Sequence, residues 1–167
     1  MLEQFARQFP ASSHVAEARE LAARMRLQDV LDRANAALER RDMAAAATLV
    51  REARRLSPES PEVQGLHARW LDAVLREGLA NARREVDREL AIAAHARRDM
   101  ALWGRVAGGA ARGRVASAES SLAAACGRMR AAIANLGALT GQASAEPRAD
   151  VERLQRAVDR ACPEEAR

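Results

Sequence analysis

Apolar residues recur at three- and four-residue spacing along nearly the whole chain, and a strand-like alternation is absent. Val15, Ala18, Ala22, Met25, Leu27, Val30, Ala34, Ala37 and Leu38 lay out a helix from a Ser13 cap through Arg40. The stripe shifts phase near Arg26 to Gln28, so one bent helix or two both fit. Met43 to Leu56 continues the pattern as a second, antiparallel helix that ends before Pro58. From Glu62 the positions Val63, Leu66, Trp70, Val74, Leu75, Leu79, Ala82, Val86, Leu90 and Ala93 predict a long helix to about Met100. Gly65 and Gly78 weaken it locally by ~1 kcal/mol each. Leu122, Cys126, Met129, Ile133 and Leu136 mark a further helix, and Val151, Leu154, Val158 and Cys162 a short last one capped by Asp150.

Breakers separate these patterns: FPASS at 9–13, SPESP at 57–61, the ambiguous GRVAGGAARG at 104–113, and TGQASAEPRAD at 140–150. The expectation is an all-α array of about six helices, with a helical domain over 1–139, a linker over 140–150 and a C-terminal helix over 151–167 packing on the same domain.

Two stretches share the string RRDM, at Arg40–Met43 and at Arg97–Met100, which raises the question of an internal repeat. Around the first copy, Ala34 occupies a small position in the first helix and Asp42 follows the turn. Ala46 and Ala53 are small positions in the second helix, and Leu56 and Pro58 close the unit. On these residues, Leu27 to Pro58 resembles a tetratricopeptide repeat, a helix hairpin of about 34 residues. There are departures: Arg41 stands where that family usually has glycine, and the early bulky positions of the first helix hold only Val30 and alanines. The second RRDM is followed by Ala101 and Ala110, matching Ala44 and Ala53, without a closing proline. The segment FARQFPASSHVAEAREL looks like the tail of one such unit and the start of the next, a style common in bacterial tetratricopeptide-like envelope proteins. The resemblance implies a helical-repeat scaffold that mediates protein–protein interaction.

Composition adds to this picture. The chain has 167 residues, enough for one ordinary domain. Alanine and arginine abound while β-branched and aromatic residues are scarce, which favours helix and implies a thin core whose helices approach closely. The sequence pI is 10.6, yet the net charge is only +4; with no lysine or tyrosine, little titrates between neutrality and arginine, so the pI overstates the basicity. Residues 101–139 carry five arginines against the single Glu119, so the positive excess is concentrated there. Were that segment one helix, Arg105, Arg112 and Arg130 would lie within about 20° of a common line, since their separations are near multiples of 3.6. If instead the chain breaks at Gly108-Gly109, Arg112 and Arg114 precede a new helix start, where free amides attract anions.

Several chemistries are disfavoured. GRVAGGAARGR lacks the preceding strand and the Lys-Ser or Lys-Thr of a phosphate-binding loop, and its small residues read better as a close helix contact, with Trp70 as a candidate for the side chain pressed against them. His14, His67 and His95 are not spaced for a metal, no nucleophile motif appears, and carboxylates sit beside arginines as on a solvated surface. No enzyme activity, cofactor or metal is expected. Nucleic acid is disfavoured by the lack of stacking aromatics. No apolar run approaches the ~20 residues of a membrane span, and MLEQFARQFPASSH does not read as a secretion signal, so a soluble chain is expected, either cytoplasmic or a periplasmic domain of a larger envelope protein. Cys126 and Cys162 both fall on apolar stripes, and either a disulfide or two buried thiols fits.

The expected function is a non-enzymatic scaffold that docks a protein partner, with Arg105, Arg112 and Arg130 supplying charge and Trp70 or Trp103 serving as anchor. The alternatives are anionic-ligand or nucleic-acid binding through the same arginines, and self-assembly through residues 62–100 paired as an antiparallel dimer.

Overall fold

The computed structural model describes residues 4, 14–106, 108–141 and 143–163. Among these the protein is all-helical, with α1 (Val15–Glu39), α2 (Met43–Leu56), α3 (Pro61–Trp103), α4 (Gly109–Thr140) and α5 (Ala145–Ala161). Five helices therefore stand where about six were expected, and the proposed Ser13 cap and FPASS turn lie outside the described residues. The phase shift near Arg26 does not split α1, which runs unbroken to Glu39 because no proline or glycine interrupts its ladder. Two compact units are present, one ending at Ala73 and one beginning at Val74, and α3 contributes to each.

In the first unit, Val30, Leu31 and Ala34 of α1 pack with Val50 and Ala53 of α2 and with Val63 and Leu66 of α3. Ala34, Ala46 and Ala53 have no exposed surface, so methyl groups face the neighbouring helices where larger side chains would hold them apart. Three residues turn the chain between α1 and α2. The N–H of Arg41 donates to Leu38 O (3.0 Å) and that of Asp42 to Ala37 O (2.9 Å), the paired bonds of a Schellman cap that satisfy carbonyls left over at the end of α1. The Asp42 carboxylate then accepts from Ala45 N–H at 3.0 Å and caps α2. Arg41, with φ 58°, occupies the left-handed position at which such caps favour glycine. Arg41→Gly is therefore expected to raise the stability of the first unit by about 1 kcal/mol, whereas Arg41→Ala gains nothing. Urea unfolding of the two variants checks this, and equal midpoints would show that the turn carries no strain. The next turn ends at Pro61, which opens α3 at a position that has no intrahelical acceptor for an N–H.

In the second unit, Leu75, Leu79, Ala82, Val86 and Ala93 of α3 share a core with Ala125, Cys126, Met129, Ile133 and Leu136 of α4. The helices come very close at Gly78, where an added Cβ would lie 2.7 Å from Leu136 Cδ2. Val151 and Val158 of α5 complete the core. The segment expected as a linker over 140–150 is shorter, since α5 already begins at Ala145 with Ser144 as N-cap in place of Asp150. Pro147 did not end structure there because it sits in the first helical turn, where no backbone donor is needed, and its ring is buried. Cys126 and Cys162 form a disulfide, with Cα atoms 5.7 Å apart, joining α4 to the C-terminal end of α5. No helix among the described residues is long and apolar enough to cross a membrane.

Candidate partner-docking site

Glycine decides where α3 stops and α4 begins. The last turn of α3 closes with Gly104 N–H donating to Met100 O at 2.8 Å, and Val106 N–H donates to Trp103 O at 3.0 Å. Gly108 then adopts φ +133°, a conformation that side-chain-bearing residues rarely adopt. The chain re-enters helix at Gly109, and Arg112 N–H donates to Gly108 O at 3.2 Å. Residues 101–139 are consequently not one helix, and Arg105 does not share the line that Arg112 and Arg130 keep on α4. Arg112 and Arg114 also do not precede the helix start but lie within the first two turns of α4.

The arginines separate by role. Arg130 donates to Cys162 O at 2.8 Å and so helps hold the end of α5, leaving it a structural rather than a docking group. Arg97 likewise donates to the neighbouring Ala161 carbonyl. Arg105 and Arg112 are exposed, and neither has a carboxylate at ion-pair distance among the described residues. Arg114, which the sequence marks only as a residue near a helix start, lies with its guanidinium 4.3 Å from the centre of the Trp103 ring. The two are eleven residues apart across the break, so periodicity could not pair them.

Trp70 and Trp103 also divide. Trp70 is half-buried against the first unit's core, with its ring centre 5.8 Å from that of His67, and its Nε1 is buried without a hydrogen-bond partner. It serves packing in that unit. Burial, followed by the nearby Arg54 charge, shifts the His67 imidazole below its ordinary pKa. Trp103, the last residue of α3, lines a cleft of about 210 Å³ with Ile92, Ala96 and Ala118. On the cleft's polar side, His95 Nε2 lies 3.4 Å from Asp99 Oδ2, an ion pair when the imidazole is protonated. Ser117, Ser121 and Arg114 supply the opposing polar groups from α4. Beside this cleft in sequence, Leu102 and Val106 are 60% and 48% exposed, and no acidic residue occurs between Asp99 and Glu119. Large exposed apolar side chains flanked by cations are a costly surface to leave against water.

A second cluster lies deeper in this unit. Glu89 is 3% exposed and receives two hydrogen bonds from Arg128, Nε to Oε1 at 2.9 Å and Nη2 to Oε2 at 2.8 Å. The Arg128 hydrogen bonds hold the Glu89 carboxyl below its ordinary pKa, against the opposing effect of burial. Its bidentate pairing engages both carboxylate oxygens and links α3 to α4. Among the described residues no three His, Cys, Asp or Glu side chains come together as a metal-ligand set. Comparison with protein-family models, with curated proteins and with solved structures finds no match for the chain.

Proposed function

We propose that the chain is a non-enzymatic helical scaffold that docks a partner protein, with a tetratricopeptide-like hairpin as its first unit and the docking surface at the α3–α4 junction of its second. The observation that carries this reading is the juxtaposition at that junction of a cleft with one apolar wall, exposed Leu102 and Val106, and arginines with no carboxylate counter-ion among the described residues. Such a surface combines an aromatic anchor with charge-assisted hydrogen-bond donors, the residue types that dominate protein interfaces. The Ala34, Ala46 and Ala53 contacts and the left-handed Arg41 turn support the hairpin part of the reading, since they serve the short helix–helix distance and tight reversal that a stacked repeat requires.

Capture from a native lysate on immobilised protein tests this, comparing wild type with Arg105→Glu/Arg112→Glu/Arg114→Glu at low and high salt after nuclease treatment. A protein retained by wild type and lost by the triple variant is the expected result. Recovery of nucleic acid alone, lost at high salt, would overturn it in favour of backbone-phosphate binding, which depends steeply on salt.

A further inference from the structure

The cleft at the α3–α4 junction limits what it can hold by its size. At about 210 Å³ it falls below the roughly 300–1,000 Å³ of pockets that enclose cofactors or drug-sized ligands. That is room for one large side chain. Its apolar wall, Ile92, Ala96 and Ala118 with the Trp103 ring, suits a branched aliphatic or aromatic group.

Charge selects what surrounds that group. Arg114 is held against the ring of Trp103, so one face of its guanidinium is desolvated and its position is restrained before any partner arrives. Arg105 and Arg112 flank it in sequence, α4 begins without a side-chain cap, and no acid lies in its first turn. Asp99, the acidic group of the cleft, is already engaged by His95. The cations therefore outnumber the available anions, and complementarity calls for a partner rich in carboxylates. A lipid surface fits less well, because the cleft is concave and its size suits a single inserted side chain.

We infer that this cleft binds a short acidic peptide segment of a partner protein, taking one large apolar side chain into the Trp103 pocket while adjacent carboxylates pair with Arg114 and Arg112. This rests on the scaffold reading and adds to it the chemistry of the partner segment.

The test uses the full chain with Trp70→Phe, which leaves Trp103 as the sole indole. Its emission is titrated with the synthetic peptide acetyl-Glu-Glu-Leu-Glu-Glu-amide, with the same peptide carrying Ala for Leu, and with the Lys-for-Glu counterpart. Saturable binding of the acidic leucine peptide at concentrations below about 1 mM is expected, tenfold weaker for the alanine peptide and absent for the basic one. Arg114→Gln should weaken it about tenfold, and Ser117→Phe, an exposed position whose new ring fills the cleft, should abolish it with helicity retained. Equal binding of the alanine or lysine peptide, no saturation with any peptide, or an emission shift with phosphatidylglycerol vesicles alone would each overturn the assignment. If a lysate protein is still captured through Arg105, Arg112 and Arg114 in any of those cases, the scaffold reading stands and only the peptide chemistry falls. If capture fails too, both fall together.

Discussion

Opening the Cys126–Cys162 disulfide is expected to destabilise the second unit by about 4 kcal/mol, seen as a drop in its Tm on the order of 15 °C. The magnitude follows from the 36-residue separation of the two cysteines, because a bond closing a loop of that length removes much of the freedom of the unfolded chain. The bond sits where the helical ladder of α5 stops at Ala161, and with the Arg97 and Arg130 hydrogen bonds to the Ala161 and Cys162 carbonyls it holds that end of the helix to the core. Calorimetry with and without reductant, beside the Cys126→Ser/Cys162→Ser variant, provides the measurement. Rapid alkylation of both thiols in untreated native protein, with a Tm indifferent to reductant, would refute the prediction.

Removing the arginine of the Glu89–Arg128 pair should do more harm than removing the carboxylate. Arg128→Ala leaves a nearly inaccessible carboxylate without its donors, whereas in Glu89→Leu the half-exposed guanidinium turns to water and an aliphatic group joins Val86 and Ala93. We expect a Tm lower by roughly 10 °C for Arg128→Ala and within about 3 °C of wild type for Glu89→Leu. The pair also sets an acid limit. Glu89 has a folded pKa below its ordinary 4.5, so its contribution to stability is complete above about 4.5 and is lost as pH falls through the lower folded value. Wild type should therefore lose stability more steeply than Glu89→Leu over that acid range. Parallel profiles for the two proteins, or a Glu89→Leu variant as unstable as Arg128→Ala, would contradict this account.

Helix identity was legible wherever the apolar stripe was long and uninterrupted. Met43–Leu56 has the bounds that its periodicity and Pro58 predict, and the Cys126, Met129, Ile133 and Leu136 stripe faces the second unit's core. What escaped the sequence was phase across a break and the meaning of single residues. Arg105 aligns with Arg112 and Arg130 only if the helix continues through Gly104–Gly108, and the positive φ of Gly108 resets that alignment. The same break hid the Trp103–Arg114 contact, because helical spacing says nothing about residues on two different helices. Pro147 reads in sequence as part of a linker, although a proline in a first turn costs the helix nothing. Glu89 did carry a signal, falling three residues after Val86 and four before Ala93 on an otherwise apolar stripe, where an acid demands a partner. Arg128 could not be named as that partner without knowing how α4 is set against α3.

The short connection between α4 and α5 has a consequence for how the chain responds to being cut. Gly141 is exposed, Ser144 is extended, and the Cys126–Cys162 bond spans the whole connection. A protease that cleaves at this point divides the backbone yet releases nothing, since α5 remains crosslinked to α4 by the cystine and packed through Val151 and Val158. The break would stay invisible on a gel run without reductant and appear as two fragments once the bond is opened. Proteolytic loss of α5 through this connection thus takes two events, scission and reduction.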